Sequence, residues 1–318
     1  MSRTLMLMTT IIMIGIGLKI AVAQPYSDIF VFGDSLSDTG NILIATEENI
    51  PVSPPYFMGR FTNGPVWVEG LAQRFGLQVS PSLASGTNFA FGGAETGQEV
   101  EENFEAEINV LIPSLRLQVL NFLASGFIDN PFDGADADAL YIVWGGPNDL
   151  RKVVMAGTTD PDAEAQTAVN NLAAVIRRLA DAGAKIFLVP NLGQTPESRV
   201  LGPEAMALAT DLSTRFNTAL KTALDTIEMV SNVTIFRLDV FTLLEEAMAN
   251  PAAFGFTNVT DPCLTGGPFM GGRLCATPEA YLFWDAIHPT AAAHAILADH
   301  AYTITAPLTV LPGNANLQ

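Results

Sequence analysis

Short apolar runs rich in β-branched and aromatic residues alternate along this chain with longer segments of helical periodicity, and no other feature limits the fold as much. Residues 29–32 precede 66–75, 141–144 precede 163–182, 185–189 precede 204–230, and 233–238 precede 240–249. Within 163–182, Val169, Leu172, Ala173, Ile176 and Leu179 recur at three- and four-residue spacing, which gathers them on one face of a helix. By contrast, Ile186-Phe187-Leu188-Val189 is apolar at every position, as a strand buried on both faces requires. Such alternation predicts parallel strands joined by crossover helices. The expected class is therefore α/β, a three-layer α/β/α sandwich with a central parallel sheet. In open parallel sheets ligands bind beyond the carboxyl ends of the strands, so the functional residues are expected just after each run.

Residues 1–23 read as a secretory signal peptide, with Arg3, an apolar stretch over 5–18, and Ala21-Val22-Ala23 in the small-x-small form of a cleavage site. Lys19 interrupts an apolar run already short for a membrane span. An uncleaved N-terminal anchor is the alternative. No later segment holds eighteen uninterrupted apolar residues, so 24–318 is expected to be one soluble domain, secreted or periplasmic, with a loosely held tail over 307–318. Loss of Arg3 and Lys19 with the leader takes the net charge from −18 to −20. So acidic a chain excludes nucleic acid as a partner, because binding it needs a basic face to replace counterions.

The two cysteines, Cys263 and Cys275, are expected to form a disulfide in an oxidising compartment, with two buried thiols as the alternative. Without a nearby histidine pair they do not make a zinc site. The acidic stretch 129–138 has an apolar residue, Pro131, where an EF-hand loop needs an oxygen ligand, and reads as a surface loop. No metal or organic cofactor is expected.

The first run leads into Gly33-Asp34-Ser35-Leu36-Ser37-Asp38-Thr39-Gly40-Asn41. A serine directly after a buried strand stands at the carboxyl edge of the sheet, and a helix starting there would aim its amide at a developing negative charge. A structural N-cap is the competing role for Ser35. A serine hydroxyl becomes a nucleophile only when a base takes its proton, and the chain has three histidines, His288, His294 and His300. His288 lies in Trp284-Asp285-Ala286-Ile287-His288-Pro289, where Asp285 can turn back onto the imidazole and Pro289 suits the first position of the following helix. His294 and His300 fall inside that helix with no acid at the same spacing and read as packed or solvated helix residues. After 139–144, Gly145-Gly146-Pro147-Asn148-Asp149 offers the Asn148 amide as a neutral donor for an oxyanion. The segment Asn88-Phe89-Ala90-Phe91-Gly92-Gly93-Ala94 ends an apolar run in two glycines, either of which can present a bare amide.

These four segments, in this order, resemble the SGNH/GDSL hydrolase superfamily. Gly33-Asp34-Ser35-Leu36 matches the first block, Gly93 the second, Gly146-Pro147-Asn148-Asp149 the third and Asp285-Ala286-Ile287-His288-Pro289 the last. The segments 30–41, 88–97 and Gly59-Arg60-Phe61-Thr62-Asn63-Gly64 look like the secreted lipase, phospholipase and haemolysin branch. The resemblance implies a flavodoxin-like sandwich and a serine hydrolase of carboxylic esters. It makes Ser35 the nucleophile, His288 the base and Asp285 its orienting acid. It makes the amides of Ser35 and Gly93 and the Asn148 side chain the oxyanion hole, with Gly92 as the neighbouring alternative for the second amide. The absence of a Gly-x-Ser-x-Gly elbow argues against the α/β-hydrolase fold.

Two readings compete with hydrolysis. The hydroxyl-rich loop after the first strand also looks like a phosphate cradle of a flavodoxin-like protein, and a secreted binding module could keep the fold without the chemistry. The expected partner is an ester substrate (lipid, phospholipid, aryl or sugar ester), with transient contact to a lipid surface. Residues 51–63 and 101–128 read as insertions flanking the site, with Phe57, Phe61, Leu111, Leu115 and Phe122 as candidates either for an acyl groove or for the core.

Overall fold

Strand β1 (Ile29–Gly33) is followed by α1 (Asn41–Ala45), α2 (Trp67–Arg74), the short antiparallel pair β2 (Val100–Glu101) and β3 (Ile112–Pro113), and α3 (Leu115–Ala124). Next come β4 (Leu140–Trp144), α4 (Pro147–Ala156), α5 (Pro161–Asp181), β5 (Ile186–Pro190), α6 (Pro203–Ser231), β6 (Thr234–Leu238) and α7 (Val240–Ala249). The pair β7 (Asn258–Pro262) and β8 (Tyr281–Phe283) and then α8 (Ala291–Thr305) follow. The structure, a computed structural model, describes residues 24–97, 100–101, 110–125, 134–193, 202–268 and 272–307. The signal segment 1–23 and the tail beyond 307 lie outside the described residues, as do parts of the insertion 101–128 and of the acidic loop 129–138.

The long helices and strands fall within a few residues of the periodic segments, and local chemistry fixes the ends. The Asp160 carboxylate accepts the Ala163 N–H and Pro161 takes the first turn of α5, an ordinary helix start. β1, β4, β5 and β6 form one parallel sheet in that order, with Ile29 opposite Leu140, Leu140 opposite Ile186 and Ile186 opposite Thr234. On the outer side of β1 the irregular segment 87–91 runs parallel to it: Val31 N–H donates to Thr87 O, Phe89 N–H to Val31 O and Phe91 N–H to Gly33 O. The spatial order is then second, first, third, fourth, fifth, the flavodoxin-like arrangement in which the chain reverses direction across the sheet beside β1.

Side-chain alternation along the strands assigns the helices to faces. Phe30 and Phe32 of β1 and Tyr141 of β4 pack on Phe122 of α3 at ring separations of 4.9, 5.6 and 6.0 Å. On the other face, Trp144 meets Trp67 of α2 edge-on at 5.6 Å. Every residue of β1 and β4 is buried, so neither face offers room for polar chemistry.

One buried polar side chain ties the end of β1 into this core. Gln118 of α3 accepts the Gly33 N–H (2.9 Å) and donates to Gly33 O (2.8 Å) and Pro113 O (3.1 Å). Leaving a buried backbone donor without a partner costs about 1–3 kcal/mol. The near-isosteric Gln118→Met is therefore expected to lower unfolding stability by about that amount, measured by urea titration. Wild-type stability in the variant would contradict the part assigned to Gln118.

Candidate active site

Three strand ends converge at the carboxyl edge of the sheet. Beyond β1, Ser35 sits half-buried on a turn in which Ser37 N–H and Asp38 N–H both donate to Asp34 O at 3.0 Å. The helix expected to start at Ser35 begins only at Asn41 and is five residues long. The Ser35 amide is therefore presented by a tight turn rather than by a helix dipole, and Ser35 caps no helix. Asp38 fastens the start of α1 instead: its buried carboxylate gathers the N–H groups of Gly40 (2.7 Å), Asn41 (2.6 Å) and Ile42 (3.2 Å), donors that have no acceptor within the helix. Those are the donors a phosphate would need, so the cradle is already filled by the protein's own anion. Burial pushes the Asp38 carboxyl up to about 6 against these bonds.

The same carboxylate organises the second strand end. Asp38 Oδ2 also accepts the Gly92 N–H at 2.9 Å, whereas the Gly93 N–H finds no acceptor among the described residues. Gly92 is thus committed inward and Gly93 presents the open amide. A Cβ on Gly92 would lie 2.4 Å from the Phe61 ring, and Gly93 has φ +83°, so both positions need glycine. Asn41 and Asn88 lock this edge: Asn41 Nδ2 donates to Asn88 O and Ala90 O, and Asn88 Nδ2 to Ser37 O. Beyond β4, Asn148 stands in the first turn of α4. One of its Nδ2 hydrogens goes to Ala94 O at 2.9 Å, which leaves the other for the cleft.

The loop after β8 brings in the remaining pair. His288 Nε2 lies 2.9 Å from Ser35 Oγ, and His288 Nδ1 lies 2.8 and 3.0 Å from the two Asp285 oxygens. Because Nδ1 faces a carboxylate it carries the proton, and the Nε2 lone pair faces the serine. Asp285 is 2 % exposed, and its Oδ1 accepts the N–H groups of Ile287 (2.8 Å) and His288 (2.7 Å). Burial pushes the Asp285 carboxyl up, but the adjacent His288 and the hydrogen bonds outweigh it and hold the group below its ordinary value. Pro289 is not the first residue of α8 as expected. Thr290 caps the helix by accepting the Ala293 N–H, and its hydroxyl donates to Tyr281 O.

Sequence reading missed Tyr56. Its hydroxyl donates to Asp285 Oδ2 at 2.6 Å across 229 residues of chain, and burial with the neighbouring carboxylate raises its pKa, so it stays a donor. The ring packs edge-on against Trp284 at 6.0 Å, in a cluster with Cys263, Cys275 and Leu264. Cys263 and Cys275 are joined in a disulfide. Cys263 N–H donates to Phe283 O and Leu264 N–H to Trp284 O, so the bridged loop braces the approach to Asp285. The segment Gly59-Arg60-Phe61-Thr62-Asn63-Gly64 supplies further fastening. Thr62 Oγ1 donates to Pro289 O, Asn63 Oδ1 accepts the Ala291 N–H, and the Phe61 ring lies 5.0 Å from that of His288.

A cleft of about 290 Å³ opens above these groups, walled by Ile42, Ile50, Phe61, Ile112 and Ile287 with Glu95 and Arg151. Of the apolar candidates only Phe61 lines it. Leu115 and Phe122 are core, and Phe57 and Leu111 are exposed away from it. His294 is buried, accepts the Trp67 N–H on Nδ1, and is pushed down to about 3 by burial, so it remains neutral. Among the described residues no cluster of His, Cys, Asp or Glu could hold a metal ion.

The sequence profile of the family described as GDSL-like Lipase/Acylhydrolase matches residues 29–301. Esterase EstA of Pseudomonas aeruginosa is 32% identical over 93% of this chain and 50% of its own length. An uncharacterized protein in the trpE-trpG intergenic region of Pseudomonas putida is 34% identical over 93% of this chain and 52% of its own length. The chain thus spans about half the length of these relatives. The phosphatidylcholine-sterol acyltransferase of Aeromonas hydrophila is 28% identical over 92% of this chain and 94% of its own.

Removing the Tyr56 hydroxyl tests how Asp285 is kept ionised. Tyr56→Phe takes away a hydrogen bond to a buried charge and is expected to lower stability at pH 7 by about 1.5–3 kcal/mol. A carboxyl held below its unfolded value stabilises the fold above pH about 4, and loses that contribution as pH falls through the folded value. The difference between variant and wild type should therefore shrink in urea titrations at pH 3. An equal penalty at both pH values would show that the hydroxyl serves something other than the charge.

Proposed function

The chain belongs to the GDSL-like lipase/acylhydrolase family, and on that footing we propose that it hydrolyses carboxylic esters through an acyl-enzyme on Ser35. The observation that carries this is the unbroken line from Ser35 Oγ through His288 to Asp285, with 2.9 and 2.8 Å steps. His288 Nε2 takes the hydroxyl proton as Oγ attacks the ester carbonyl. The carbonyl oxygen becomes an oxyanion facing the Ser35 and Gly93 amides and the free Nδ2 hydrogen of Asn148, donors fixed in place before reaction. When the C–O bond breaks, the imidazolium returns the proton to the leaving alcohol. Water then repeats the sequence on the acyl-enzyme, giving its proton to His288 and releasing the acid. Asp285 stays ionised throughout and steadies the imidazolium.

Secretion belongs to the same reading. Arg3, the apolar run and Ala21-Val22-Ala23 support removal of residues 1–23 during export, and among the described residues no helix is long and apolar enough to cross a membrane. Residues 24–318 would then act as one catalytic domain.

A fluorophosphonate probe should label the protein once, at Ser35, and fail to label Ser35→Ala. On a p-nitrophenyl ester, His288→Ala is expected to lower kcat by about 10⁴–10⁶. Asn148→Ala should cost about 10²–10³ with little change in KM, since its donor acts mainly in the transition state. Labelling of another serine, or near-normal kcat in folded Asn148→Ala, would overturn the respective assignment.

A further inference from the structure

The two oxygens of Asp285 are held from different directions. Oδ1 accepts the N–H groups of Ile287 and His288, which belong to the same loop and move with it. Oδ2 faces His288 Nδ1 at 2.8 Å and takes one further donor, the Tyr56 hydroxyl at 2.6 Å. Among the described residues, this is the only hydrogen bond to the carboxylate from outside the 285–288 loop. Tyr56 is itself fastened. Its N–H donates to Val52 O, Val52 N–H donates to Pro268 O, and its ring meets those of Trp284 and Phe61 at 6.0 and 6.4 Å. A phenylalanine ring would pack there equally well. A buried hydroxyl costs free energy unless it is bonded, and among the described residues Asp285 is its only partner. The hydroxyl is therefore there for the carboxylate.

A carboxylate oxygen divides its charge among its donors, so each bond it accepts weakens the pull it exerts on the others. Resting on the hydrolase reading of Ser35, we infer that Tyr56 is a positioning residue of the reaction: it shares Oδ2 with the His288 Nδ1–H and thereby leaves the imidazolium free to return its proton to the leaving alcohol. The proton taken from Ser35 Oγ at Nε2 must be given up when the C–O bond breaks, and an unshared Oδ2 would hold the imidazolium too firmly. Tyr56 neither gains nor loses a proton, because burial and the neighbouring carboxylate raise its pKa and keep it a donor throughout. The other titratable groups around the imidazole are Asp34 after β1, His294 of α8, and Glu95 and Arg151 across the cleft. The Tyr56 hydroxyl is bonded to none of them, so its removal leaves their contacts in place.

The test is kcat/KM as a function of pH on p-nitrophenyl butyrate and on ethyl butyrate, for wild type, Tyr56→Phe and Tyr56→3-fluorotyrosine. The nitrophenolate leaves without a proton, whereas ethoxide needs one from His288. An unshared Oδ2 favours the protonated imidazole up to higher pH, so in Tyr56→Phe the acid limb of the profile should rise by about one pH unit. The plateau on the ethyl ester should fall about threefold or more relative to that on the p-nitrophenyl ester. Fluorine makes the hydroxyl a stronger donor with little change in bulk. Tyr56→3-fluorotyrosine should therefore move both readouts the opposite way, which decides the matter if the phenylalanine variant does not fold. A hydroxyl that only steadies the fold would lower both esters alike and leave the limb in place, and that result overturns the role of Tyr56 alone. Absence of both ester turnover and fluorophosphonate labelling overturns the reading of Ser35, and the role of Tyr56 with it.

Discussion

Burial of the two strands β1 and β4 on both faces is the constraint from which the rest follows. β1 and β4 have no exposed residue, so polar groups can be placed only where the strands end. The loops after β1, the segment 87–91 and β4 all end at one edge, and Ser35, Gly93 and Asn148 arrive together without any of them leaving its own strand end. The aromatic packing of Phe30, Phe32, Tyr141 and Phe122 underneath gives these loops a rigid floor, which is what preorganised donors require.

Two buried carboxylates then organise the edge. Asp38 collects four backbone N–H groups, three from its own turn and one from Gly92. In doing so it sets the path of the chain after β1 and decides which of two adjacent glycines keeps an open amide. Asp285 is surrounded by two backbone N–H groups, the His288 imidazole and the Tyr56 hydroxyl. A charge this buried is tolerable only when so many donors surround it. The loops that deliver them, the disulfide-braced cluster and the segment ending at Asn63, are there to hold Asp285 and His288 against Ser35.

Much of this was legible in the sequence, for physical reasons. Strands that must be apolar on both faces stand out as unbroken runs, and Asp285 and His288 are three residues apart, so their pairing is local. What could not be read depends on contacts distant in the chain. Tyr56 is one tyrosine in a proline-rich loop, and nothing near it signals a carboxylate 229 positions away. The helix expected at Ser35 begins only at Asn41, where the Asp38 carboxylate gathers the first amides. Leu115 and Phe122 lie wholly in the core while Ile42, Ile50 and Ile112, also buried, border the cleft, because an apolar residue looks the same in sequence whether it faces a neighbour or a ligand.

The proposed mechanism requires one point in space within reach of Ser35 Oγ, the Ser35 and Gly93 amides and the Asn148 side chain. A crystal structure of the protein inactivated by an alkyl fluorophosphonate would examine that point directly. Phosphorus is expected to be bonded to Ser35 Oγ, with a phosphonyl oxygen within about 3 Å of all three donors. An adduct whose oxygen turns to solvent, leaving the Gly93 amide and Asn148 unused, would contradict it.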